Sequence, residues 1–180
     1  MKNNNLKVRL SEIKDEHVEK LMPLSNDPEL ISSMGWTPFK PNEKNRFLDF
    51  CRVLTVPGLK ETESLIFAII ETLSNRPIGY VSIKGVDRFK KFAELGIAIM
   101  DKEYRRKGYG SQVLKQAVEY AFNELGLSRL KLTVFPFNNT AIRVYEKIGF
   151  HNTTLLKNSW QLADGQRCDM LLMELPRGPI

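Results

Sequence analysis

Between Glu94 and Phe150 the chain reads as a short apolar strand, ELGIAIM, then the loop RRKGYG, then a helix with one apolar face. No other stretch commits the backbone to so many consecutive decisions. Gly108 and Gly110 lack Cβ atoms, so the backbone from Arg105 to Ser111 can curl its N–H groups toward one point just as the helix begins. The positive helix start, the oriented amides and the flanking Arg105, Arg106 and Lys107 together favour a diphosphate over water or a carboxylate. A tight strand-to-helix turn with a solvated basic edge would use the same residues. The loop is not GxxxxGK[ST], and it lacks the third glycine of GxGxxG. What it does match is [RQ]xxGx[GA] after an apolar strand.

That pattern, met by Arg105, Gly108 and Gly110, resembles the acetyl-CoA pyrophosphate site of the GNAT superfamily of N-acetyltransferases. A second stretch at a family-like distance, NNTAIRVYEKIGF from Asn138 to Phe150, resembles the same superfamily. The resemblance runs from Leu6 to Leu175, with its specific motifs confined to Glu94–Phe150. The ADGQRCDMLLMEL tail and the MGWTPF loop look like the branch that holds ribosomal-protein alanine and spermidine N-acetyltransferases. The resemblance implies an α/β (α+β) fold with a mixed, mostly antiparallel central sheet of about six to seven strands and helices on both faces. It also implies a cytoplasmic enzyme that uses acetyl-CoA, releases CoA, and acetylates a primary amine by direct attack in a ternary complex.

The 180 residues, 42% of them hydrophobic, suit one domain over 1–180 with a full core, since no Gly/Ser/Pro-rich linker divides them. MKNNNLKVRL has no apolar h-region, and no apolar run approaches the roughly 18 residues a membrane span needs, so a soluble intracellular protein is expected. Cys51 and Cys168 make no disulfide framework, and with His17 and His151 scattered there is no metal-ligand spacing. The net charge of +6 and pI near 9.3 would admit nucleic acid. However, Lys and Arg are interspersed with Glu and Asp, and the one dense cluster is Arg105–Lys107, so no nucleic-acid partner is expected. Acidic residues of the first third, Asp15, Glu19, Asp27 and Glu29 among them, lean toward a cationic acceptor, although a solvated helix face explains them equally.

Along the chain, LKVRL alternates as a first strand, and a helix opens at Ser11 or Lys14–Asp15 with Val18, Leu21 and Met22 on one side. Asn26–Pro41, with three prolines and Gly35, reads as a loop or short helical turns, and Glu43–Leu54 as a second helix. SLIFAIIE and IGYVSIKG form a hairpin across SNRP, and FAELGIAIM follows as a strand. Gly110–Leu125 is the central helix, RLKLTVF a strand, and Asn138–Ile148 a helix closed by Gly149. Phe150–Leu156 and CDMLLMEL are the last strands, and Pro176–Ile180 a loose tail. Strands that pair early and alternate with helices later imply a mixed sheet.

Acetyl transfer to an amine needs an anchored cofactor, a polarised carbonyl and proton traffic at nitrogen and sulfur. The resemblance assigns the anchor to Arg105, Arg106, Lys107, Gly108, Tyr109, Gly110 and Ser111, and lays the pantetheine arm along the backbone of Ile97, Ala98, Ile99 and Met100. Asn138, three residues before Ala141, matches the asparagine that touches the cofactor arm; it would also N-cap its helix. Tyr145, the tyrosine of YEKIGF, would donate a proton to the departing thiolate, or would pack its ring as an ordinary helix residue. Glu94 would take the amine proton, unless a water chain to bulk does so. Trp36, Phe39 and Trp160 are candidates for an acceptor pocket, and equally for packing. Neither cysteine has a sequence partner that would activate it, which disfavours an acyl-cysteine route. The acceptor is open between a small-molecule amine and a protein N-terminus, and a homodimer is expected. A non-catalytic acyl-CoA-binding regulatory module is the alternative.

Overall fold

A computed structural model describes residues 6–178. The first strand, β1 (Val8–Glu12), leads into three short helices: α1 (Asp15–Leu21), α2 (Pro28–Met34) and α3 (Lys44–Arg52). Strands β2 (Leu65–Glu71), β3 (Pro77–Asp87) and β4 (Phe92–Ile99) follow, then α4 (Tyr109–Asn123), β5 (Arg129–Val134), α5 (Asn139–Ile148), β6 (His151–Gln161) and β7 (Arg167–Pro176). The seven strands form one sheet in the order β1-β2-β3-β4-β5-β7-β6. Every neighbouring pair is antiparallel except β4 and β5. The mixed, mostly antiparallel sheet expected from the sequence is therefore the one observed.

Strand alternation gives the sheet two buried faces. On β3, Val81 and Ile83 join Val113, Leu114, Ala117 and Ala121 of α4 in one core, while Tyr80 turns to the other side. There it meets Leu21, Trp36, Phe39 and Phe47 from the α1–α3 layer. Burying a Phe, Leu or Ile side chain is worth about 1.5–3 kcal/mol, so both helical layers are held mainly by these contacts.

Local chemistry fixes the helix ends. Asp27 accepts the Leu30 N–H at 3.1 Å, Pro28 occupies the first turn, and Gly35 closes α2 at φ 65°. The segment Asn26–Pro41 thus holds a seven-residue helix between turns. Asn138 caps α5 by accepting the Ala141 N–H at 3.2 Å, and Gly149 ends it at φ 113°. The second expected helix is shorter than Glu43–Leu54 because Val53 leaves the helical region at ψ 126°. The last two strands run longer than the sequence suggested, each pairing along the other through two register shifts. The loose tail expected at Pro176–Ile180 is tied down at its start, Pro176 ending β7 and Arg177 donating to Ser128, Phe122 and Asn123, while residues 179–180 lie outside the described residues, as do the first five. Among the described residues no helix is long and apolar enough to cross a membrane.

The centre of the sheet tolerates no extra atom at Gly79, which faces Ile99 across the β3–β4 pair. A Cβ built there would stand 2.0 Å from the Ala98 carbonyl oxygen, a backbone atom that cannot step aside. Gly79→Ala should therefore cost about 3 kcal/mol and lower Tm by roughly 5–10 °C in a thermal melt. An unchanged Tm would mean the two strands can separate locally at little cost.

Candidate functional site

β4 and β5 pair for only three residues, Phe92, Ala93 and Glu94 against Arg129, Leu130 and Lys131. Beyond Glu94 the strands part, and the outer edge of β4 is left without a strand partner. The gap is the mouth of a cleft of about 490 Å³. Ile97, Ala98 and Ile99 line it from β4, Gly108, Gly110 and Ser111 from the loop and start of α4, and Asn138, Ala141 and Tyr145 from α5. Most residues singled out in the sequence thus meet around one opening. Met100 does not, being 1% exposed, with its N–H given to Ile78 and its carbonyl to Arg105.

The loop before α4 curls because two of its residues adopt left-handed backbone. Arg106 stands at φ 59°, and Gly108, the N-cap of α4, at φ 84°. The Arg105 side chain shapes the loop from inside the protein. Its guanidinium donates to the carbonyls of Ile99 and Met100 at 2.9 and 2.8 Å, and to Asp27 and Glu29 at 2.7 and 3.2 Å. That ion pair holds the Asp27 carboxyl below its usual range. Arg106 spans both oxygens of Glu29, at 2.9 and 2.8 Å. Lys107 and Tyr109 lie off the cleft, Tyr109 packing edge-on against Tyr104. What the loop offers a ligand is its backbone and helix start more than free arginine charge.

Glu94 sits at the vertex where the strands separate, 1% exposed. Four donors converge on its carboxylate. Lys84 Nζ and Thr55 Oγ1 reach one oxygen at 2.8 and 2.7 Å; the backbone N–H groups of Thr55 and Val56 reach the other at 2.8 and 2.9 Å. Lys84 also donates to the Val53 carbonyl, and Thr55 Oγ1 meets Thr133 Oγ1 at 2.5 Å. This knot pins the segment after α3 to β3, β4 and β5. Sequence reading missed Thr55, Lys84 and Thr133, because their meeting depends on register and long-range packing alone.

Tyr145 is partly buried, its ring 6.0 Å from that of Phe150, and it is among the residues that line the cleft. Burial pushes its phenol up to about 12. Trp160 lines the cleft as well, edge-on to Phe50 at 6.3 Å. Trp36 and Phe39 are 3% and 5% exposed and pack in the α1–α3 core behind the cleft wall. Cys51 is in that core too, at the edge of the cleft lining, and burial raises its thiol to about 12, which disfavours the thiolate.

Residues 7–151 match the family model described as an acetyltransferase (GNAT) domain. An uncharacterised N-acetyltransferase, p20, of Bacillus licheniformis is 26% identical over 170 residues, 94% of this chain and 92% of the relative. The ribosomal protein bS18 alanine N-acetyltransferase of Escherichia coli K12 is 32% identical over 77 residues, 43% of this chain and 51% of its own. Among solved structures, the spermidine N-acetyltransferase from Vibrio cholerae, in complex with CoA and spermine, superposes with a TM-score of 0.78. It is 20% identical over 96% of both chains, a likeness of fold.

The knot at the vertex carries its own test. Lys84 and Glu94 have side chains only 9% and 2% exposed, so Lys84→Met leaves a buried carboxylate without its countercharge. Chemical denaturation should show a loss of about 3–5 kcal/mol, much of it recovered in Lys84→Met/Glu94→Leu. Equal losses in the single and double variants would show that the charge pair is not the source of the cost.

Proposed function

The chain belongs to the acetyltransferase (GNAT) domain family, whose members are acetyl-CoA-dependent N-acetyltransferases, and we propose that it acetylates a primary amine by direct attack within the β4–β5 cleft. The observation that carries this reading is the parting of β4 from β5 after Glu94, with a glycine-capped helix start and the tyrosine Tyr145 both in the lining of the gap. The named similar proteins act on amines, a ribosomal protein alanine in one and spermidine in another.

The residues present fit acetyl-CoA. Gly108 turns the loop so that the N–H groups at the start of α4 face outward, and a Cβ at Gly110 would meet nothing nearer than Ile99 Cγ1 at 3.9 Å, which leaves room for a diphosphate. The unpaired edge of β4 at Ile97 and Ala98 offers backbone groups to an extended amide-bearing arm, as a strand partner would. The Asn138 side chain caps α5 through its oxygen and keeps its NH₂ donors available to the cleft. Bound acetyl-CoA supplies an acetyl thioester as the electrophile.

Attack by the amine expels a thiolate, and in this reading Tyr145, a lining residue of the cleft, is the proton donor to that sulfur. Its phenol, at about 12, stays protonated throughout the working pH range. The attacking nitrogen must first be neutral. Glu94 is a poor place for its proton, because four donors, one of them an ammonium, already occupy the carboxylate. A water path to bulk is the route this arrangement favours. Cys51 touches the cleft lining but is buried with its thiol raised, and Cys168 lies outside the cleft, which supports transfer without an enzyme-bound thioester.

Two measurements test this. Tyr145→Phe should lower kcat about 10²–10⁴-fold with little change in KM for acetyl-CoA. In the wild type, kcat/KM should rise with pH as the acceptor loses its proton, with no phenolic descending limb until pH approaches about 12. A wild-type decline near pH 9 that persists in Tyr145→Phe would give the acid role to another group. Gly110→Ala should leave Tm unchanged or slightly higher, since Ala suits a helix, yet weaken acetyl-CoA binding by about tenfold or more in calorimetry. Unaltered affinity would move the diphosphate site away from this loop.

A further inference from the structure

We propose that Thr133 docks the acceptor amine, and that the acceptor carries this amine on an uncharged, apolar body. The proposal rests on the acetyl-transfer reading and names the class of its second substrate.

The argument begins with the hydrogens at the vertex. A carboxylate offers lone pairs and no donor, so the Thr55 hydroxyl, 2.7 Å from Glu94, must give its hydrogen there. Thr55 then has only lone pairs for Thr133, and the Thr133 hydroxyl must give its own hydrogen to Thr55. Lys84 and the N–H groups of Thr55 and Val56 hold Glu94 in place, so this direction is locked. Thr133 lines the cleft, and toward the cleft it can only accept. That restriction suits a nucleophilic nitrogen. An oxygen that accepts binds the amine through N–H and leaves the nitrogen lone pair free to attack. A hydroxyl free to donate would cap that lone pair and block it.

The charge inventory then selects the acceptor. The acidic residues lining the cleft are Glu29 and Glu94, and each is engaged, Glu29 by Arg105 and Arg106 and Glu94 by Lys84. Of the acidic residues of the helical layer, Asp15 and Glu19 share Lys44 and Glu43 pairs with Arg46, and none of these three lines the cleft. A polyamine entering this cleft would meet no unpaired carboxylate among its described lining residues. The cleft that Thr133 lines is also lined by Phe50, Phe135, Trp160, Met34 and Met170. Those walls stabilise an apolar or aromatic body next to one amine.

The test is a thiol-release assay with acetyl-CoA and three acceptors: phenylalaninamide, a tripeptide with an apolar N-terminal residue, and spermidine. It is run on wild type, Thr133→Val, Thr133→Ser and Thr55→Val. The expected ranking has either apolar amine above spermidine in kcat/KM. Thr133→Val should raise acceptor KM about tenfold, the scale of one lost hydrogen bond, and leave KM for acetyl-CoA unchanged. Thr133→Ser should restore acceptor KM to within about threefold. Thr55→Val should act chiefly on kcat, because it frees the Thr133 hydroxyl to donate to the nitrogen. Spermidine as the best acceptor, or an unaltered acceptor KM in Thr133→Val, overturns the proposal while acetyl transfer stands. No thiol release with any amine overturns both. The wild-type ranking decides the acceptor class even where a variant fails to fold.

Discussion

Two parallel strands that stay together for three residue pairs and then separate create the site around which the protein is organised. A parallel pair with a free edge would normally be an unstable arrangement, since backbone groups facing a cleft lose their partners. Here the vertex is closed by side chains. Glu94 gathers an ammonium, a hydroxyl and two amides at the last paired residue, and the chain after α3 is drawn in to cover it. The polar knot thus marks where pairing stops and the cleft begins. A purely apolar vertex would pack as well, but it would give the hydroxyls of Thr55 and Thr133 no fixed orientation.

Much of this was legible because it is written locally. The glycine turn before α4, the Asn138 cap, the Gly149 stop and the β2–β3 hairpin each occupy a few consecutive residues with a strong backbone preference. α2 also carries its own start signal, Asp27 before Pro28, which the prolines around it obscured. The vertex was illegible for the opposite reason. Thr55, Lys84, Glu94 and Thr133 come from four separate segments, and no periodicity brings together residues as far apart as 55 and 133. Trp36 and Phe39 look like pocket residues in a loop, yet the layer above β3 needs large rings to fill it, and that layer takes them.

Arg105 shows how a motif residue can serve its site indirectly. The loop pattern suggests a charge aimed at an anion, whereas the side chain is 11% exposed and bound on every side by protein acceptors. The same separation of tasks recurs in Glu94, whose carboxylate orients neighbours and is fully occupied in doing so. In both cases the ionised group sets geometry, and lighter groups, backbone amides in one and a threonine hydroxyl in the other, are left to face the cleft.

The Arg105 brace also bears on the thermodynamics of association. A loop with two left-handed residues would be costly to order at the moment a ligand arrives, because each fixed backbone residue loses about 1–2 kcal/mol of entropy. Four bonds from one guanidinium to the end of β4 and the start of α2, Met100 and the N-cap Asp27 included, already impose that order during folding. Preorganisation of this kind leaves more of the intrinsic attraction available as affinity. It also makes arginine irreplaceable by lysine here, since one ammonium cannot reach four acceptors placed for a planar fork.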